Sequence, residues 1–150
     1  MDSLYVWLRF LHIVGLGVFL LAHGISAGAS LVLRQRAADA ARGAILMLSI
    51  RANYIAFPGL LVVLVTGVWM GFLGSWWRMG WIWAAIVVLV LAIVAMSAMS
   101  VPYHRAREVL GDGQTAELDT RLKRARPIEL AAIGTVTLLI LFFLMVFKPF

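Results

Sequence analysis

The sequence lacks cysteine and is poor in charge. No cysteine occurs among its 150 residues, so disulfides, thiolate metal sites and iron–sulfur clusters are excluded. Any cofactor must therefore be held by histidine, methionine or oxygen ligands. Charged residues make up only 13% of the chain, whereas hydrophobic residues make up 63%. A water-soluble domain of this length could not bury so much apolar surface, and lipid has to cover it.

The hydrophobic residues come in four long runs, which cover about residues 4–33, 52–73, 81–101 and 128–147. Each run is long enough to cross a bilayer as a helix. The sequence therefore predicts a single all-α domain over residues 1–150, an integral membrane four-helix bundle. Pro58 is expected to kink or begin the second span, and the third span is expected to end near Pro102. The opening residues lack the basic charge of a signal peptide, so we expect that the first span is not cleaved off and remains in the protein.

Basic residues are distributed unequally between the two ends of the predicted spans. Ten lie in the connections after the first and third spans, and three lie on the opposite side. The positive-inside rule then places both termini on the outer, periplasmic side of a bacterial inner membrane. The same rule and anionic lipid account for the net charge of +6, so the bilayer is the expected partner and nucleic acid is not.

Two of the three histidines lie on one stripe of the first span. His12 and His23 are eleven residues apart, which is three helical turns plus about 20°. The other residues on or beside this stripe are Gly15, Phe19, Ser26 and Ser30. Polar groups turned towards hydrocarbon are costly, so this stripe is predicted to face the interior of the bundle.

The histidines allow two interpretations. A neutral imidazole inside a membrane bundle can ligate a haem iron, or it can simply form a hydrogen bond to another helix. His104, at the inner end of the third span, could pair with His23, whereas His12 has no histidine partner at its depth. Ligation by one histidine and one methionine is also possible, through Met70 or Met79 near the outer side and Met96 or Met99 near the inner side.

Two pairs of glycines are spaced for close helix packing. Gly24 and Gly28 lie four residues apart in the first span, and Gly67 and Gly71 do so in the second. This spacing lets helices approach closely or dimerise, so we expect a homo-oligomer or packing against other membrane subunits.

Several short motifs carry a family resemblance. They are Leu11-His12-Ile13, Phe57-Pro58-Gly59-Leu60, Thr66-Gly67-Val68-Trp69, Pro102 with Arg105, and Val146-Phe147-Lys148-Pro149. Together they resemble the integral membrane family known as domain of unknown function twenty-two sixty-nine. The first two spans are more distantly similar to the copper-resistance protein D family and to a membrane-bound protoporphyrinogen oxidase with a haem-linked histidine in its first helix. That resemblance implies His12 as the haem-linked position.

The resemblance to the oxidase is incomplete, because that family places a lysine in its third helix and residues 81–101 contain none. The leading hypothesis is therefore a b-type haem or porphyrin bound at His12, in a redox or haem-handling role. The alternative is a non-catalytic accessory subunit or assembly factor of a larger membrane complex. A transporter ranks third, since no acidic residue lies in a span interior. No catalytic residue is predicted.

Overall fold

The structure, a computed structural model, describes residues 3–34, 39–111 and 126–150, and every regular element within these ranges is helical. The elements are α1 (Ser3–Arg34), α2 (Asp39–Leu73), the short 3₁₀ helix η1 (Trp76–Arg78), α3 (Gly80–Gly111) and α4 (Pro127–Phe147). All four α-helices contain a segment long and apolar enough to cross a membrane. For these ranges the prediction of an all-α fold, with four helices long and apolar enough to span a membrane, is confirmed. The side on which the termini lie stays a prediction.

Two helices extend beyond the apolar runs. α2 begins at Asp39 and so includes much of the connection after the first span, and α3 continues past Pro102 as far as Gly111. Pro58 lies inside α2 and does not begin it. Alanine, arginine and leucine have high helix propensity, so both helices continue beyond the point where the sequence becomes less hydrophobic. Membrane helices tolerate an interior proline because neighbouring groups replace the lost hydrogen bond.

The helices pack as two antiparallel hairpins. α1 packs along α2 and α3 packs along α4, and a smaller contact between α1 and α4 joins the hairpins. Within the first hairpin the backbones touch. A Cβ atom added to Gly59 would lie 2.9 Å from the backbone nitrogen of Phe19 and 3.0 Å from the carbonyl oxygen of Gly15. Side chains on the outer faces, such as Leu21, which is 73% exposed, are left to lipid.

Aromatic side chains pack together at the end of the molecule where η1 lies. Trp81, Ile82, Ala85 and Leu144 form a buried cluster, against which Trp76 and Trp77 pack. The backbone N–H of Trp81 donates to the carbonyl oxygen of Phe150 at 3.0 Å, so the last residues of the chain are fixed to this cluster. Tryptophan is typical of the membrane–water interface, and this end of the bundle is therefore placed at one surface of the bilayer.

Candidate functional site

His12 is buried in the contact between α1 and α2 and is bonded to a threonine. Its Nδ1 atom lies 3.0 Å from Oγ1 of Thr66. The same hydroxyl lies 2.6 Å from the carbonyl oxygen of Val62, one turn earlier in α2. A hydroxyl has one hydrogen, and here it goes to that carbonyl, so the oxygen accepts from the ring. Neutral His12 therefore carries its proton on Nδ1 and its lone pair on Nε2.

The second ring nitrogen of His12, Nε2, is the one that Thr66 does not contact. Nε2 has no hydrogen-bond partner within the described ranges. Gly67 forms the floor beneath the ring, since a Cβ atom added to Gly67 would lie 3.2 Å from Cε1 of His12. The ring is thus held between Thr66 and Gly67 of α2.

His23 has a different environment, at the junction of α1, α3 and α4. Its ring stacks on Phe19, with centroids 5.4 Å apart and planes 18° from parallel. Nε2 of His23 lies 3.3 Å from the position of a Cβ atom added to Gly134, and the methyl carbon Cε of Met96 lies 3.7 Å from that same position. Neither ring nitrogen of His23 has a hydrogen-bond partner among the residues that the structure describes.

The stripe of polar residues on α1 faces the interior of the bundle, as predicted. Towards the other end of the hairpin, the hydroxyls of Ser26 and Ser49 lie 3.0 Å apart, and Ser30 donates to the carbonyl oxygen of Ser26 at 2.9 Å. The hydroxyl pair and the His12–Thr66 bond lie at separate levels of the contact between α1 and α2. The predicted direction of the stripe is confirmed.

The other candidate residues lie apart from the two histidines or outside the description. The space around Gly24 and Gly28 is open, with no atom of another element within 4 Å of an added Cβ, whereas Gly71 lies against the ring of Trp77. The side chain of His104 lies outside the described residues. The roles predicted for His104 and for Gly24 and Gly28 stay predictions.

The described ranges contain no group of three or more histidine, cysteine, aspartate or glutamate residues that could hold a metal ion together. This arrangement does not suit a tetrahedral zinc centre, which needs several such ligands. It does not bear on haem, whose porphyrin ring would supply nitrogen ligands of its own.

Comparison with known proteins places the chain in a family. The family model described as Predicted integral membrane protein (DUF2269) matches residues 6–149. The chain belongs to this family. The resemblance predicted from the short motifs is thereby confirmed, and so is the membrane location of this DUF2269 member. No curated protein and no solved structure matches the chain. The distant similarity to the copper-resistance and oxidase families stays a prediction.

Two residues beside the histidines, Thr66 and Gly134, were missed in the sequence, whereas Met96 was among the methionines considered as ligands. A signal for Thr66 was present, since it is an isolated hydroxyl in an apolar run. Thr66 lies near the C-terminal end of α2, and His12 lies near the N-terminal end of α1. In an antiparallel pair of helices these two positions have a similar depth, which favours a hydrogen bond between them. Gly134 carried no such signal, because glycine is ordinary in membrane helices.

Proposed function

We propose that this membrane protein binds a b-type haem in a redox or haem-handling role, in which Nε2 of His12 would hold the iron. The observation that carries this proposal is the hydrogen bond between His12 and Thr66. It assigns the ring proton to Nδ1 and leaves the lone pair on Nε2, which has no hydrogen-bond partner within the described ranges. A ligating histidine commonly donates its other N–H to a neighbouring acceptor, which fixes the ring and raises its basicity.

The residues around His12 would supply one imidazole nitrogen to the iron. Because no histidine faces it from α2, the iron would be held by one imidazole alone or by an imidazole and a thioether. Met70 is buried one turn beyond Thr66 and supplies the nearest methionine along α2. Haem would supply one-electron or ligand-exchange chemistry, while Thr66 and Gly67 orient the imidazole and the apolar helices limit access of water.

The open glycines of α1 favour a second candidate, a non-catalytic accessory subunit or assembly factor. Gly24 and Gly28 expose a strip of small residues, with no other element of the described chain against it. Small residues let another membrane helix approach closely. This candidate explains the open strip but assigns no purpose to the free nitrogen of His12, so we rank it second.

We also propose a bacterial inner membrane location with both termini on the periplasmic side. The distribution of basic residues supports this orientation. The chain has no cysteine, so single cysteines report it cleanly. Ser75→Cys, at the η1 end, should react with an impermeant maleimide in spheroplasts, and Ala41→Cys should react only after the cells are opened. The reverse pattern would reject the orientation.

The haem proposal is tested by the visible absorption spectrum, oxidised and dithionite-reduced, of protein purified in mild detergent after haem-replete expression. His12→Ala should lose the Soret band, and the matched variant His23→Ala should keep it. A colourless wild-type preparation would reject haem binding and favour the accessory subunit. A Soret band that survives in His12→Ala but disappears in His23→Ala would show that the ligand is misassigned.

A further inference from the structure

The junction of α1, α3 and α4 brings together a nitrogen and a thioether. Nε2 of His23 and Cε of Met96 lie 3.3 and 3.7 Å from one point above Gly134, so at most 7.0 Å separates the two atoms. Sδ of Met96 is one bond from Cε, and the unbranched side chain rotates readily. The space exists because Gly134 has no side chain, and a Cβ there would press on the ring.

None of the described residues forms a hydrogen bond with the imidazole of His23. A polar group at membrane depth is costly when it is left without a hydrogen bond. His12, on the same helix, is bonded to Thr66, whereas His23 only stacks on Phe19. A bound ligand that accepts the lone pair of an imidazole would remove this cost.

The donor atoms at this junction define the kind of ligand. An imidazole and a thioether are neutral, and thioethers select soft ions such as Cu(I). The nearest described carboxylate along α4 is that of Glu129, which is exposed and paired with Arg126 at 3.2 Å. A divalent ion that needs carboxylates, such as Mg²⁺ or Ca²⁺, would find none at the junction.

We propose that His23 and Met96 form a binding site for one Cu(I) ion between α1, α3 and α4. Cu(I) accepts two ligands in a nearly linear arrangement, so this pair is sufficient. Phe19 fixes one face of the imidazole, and Gly134 leaves room for the ion. The site does not use His12 and does not depend on the haem proposal.

The test is a titration of the full chain, purified in detergent without added haem, with Cu(I) under anaerobic, reducing conditions. Competition with a chromophoric Cu(I) chelator measures the affinity, and X-ray absorption identifies the ligand atoms. We expect one Cu(I) per chain, bound by one nitrogen and one sulfur. Met96→Leu, which nearly conserves side-chain volume, should weaken binding roughly tenfold or more, since even losses outside the ligand shell commonly cost that much.

The matched control is Met145→Leu, on the exposed face of α4, which should bind Cu(I) as the wild type does. His23→Gln is the second test variant, in case Met96→Leu does not fold, and it should also lose binding. His12→Ala should retain it, which separates this site from the haem site. Absence of Cu(I) binding by the wild type, or wild-type affinity in both Met96→Leu and His23→Gln, would overturn the proposal.

Discussion

The two helix hairpins are held together by different means. α1 and α2 meet through backbone contact at Gly15 and Gly59 and through hydrogen bonds at two levels, whereas the contact of α3 with α4 is richest in large side chains near the aromatic end. Lipid tails are as apolar as leucine, so membrane helices gain little from apolar contact alone. Close packing and polar bonds therefore have to specify the first hairpin, and interfacial aromatics anchor the second.

The largest expected effect comes from adding bulk where the backbones touch. Gly59→Val places atoms against the backbone of Phe19 and Gly15, which cannot move aside as a side chain would. We expect it to lower the free energy of unfolding by about 3 kcal/mol or more, measured by denaturant titration in micelles. Gly24→Val, the matched control at an open glycine, should change it by less than about 0.5 kcal/mol. Equal losses in both variants would refute the assigned contact.

A smaller effect should follow from removing the hydroxyl that orients His12. Thr66→Val conserves the shape of the side chain but leaves Nδ1 of His12 without its acceptor. The expected loss is about 1 kcal/mol, in the range found for hydrogen bonds between membrane helices. Thr135→Val, at an exposed position on α4, is the control and should be nearly neutral. An unchanged stability in Thr66→Val would mean that the bond contributes nothing measurable.

The smallest effect is expected at the aromatic end of the second hairpin. Nζ of Lys148 lies 4.3 Å from the ring centroid of Trp76 and 5.5 Å from that of Trp81. Lys148→Met keeps most of the length but removes the charge, and should cost about 0.5–1 kcal/mol and alter tryptophan fluorescence. Arg78→Met removes a nearby exposed cation as the control. A loss as large as that of Gly59→Val would contradict the comparison between the hairpins.

Hydropathy was enough to predict the four spans, because lipid imposes its length on every helix that crosses it. It was also enough to predict that His12 faces inward, because exposing a polar stripe to lipid costs more free energy than burying it in the bundle. The partners of the histidines were not predictable in this way. Thr66 meets His12 because the close approach at Gly59 sets the register of α2, and Met96 nears His23 only through the docking of the second hairpin. Such contacts depend on three-dimensional packing.

The unequal lengths of the helices have a mechanical consequence. α4 has 21 residues and α1 has 32, which correspond to about 32 Å and 48 Å of helix. A hydrocarbon layer of about 30 Å matches α4, while α1 is too long for it and has to tilt or project into the headgroups. Hydrophobic mismatch therefore acts on these two neighbours unequally. A change in bilayer thickness would displace α1 lengthwise relative to α4. His23 and Gly134 lie at the contact between these two helices.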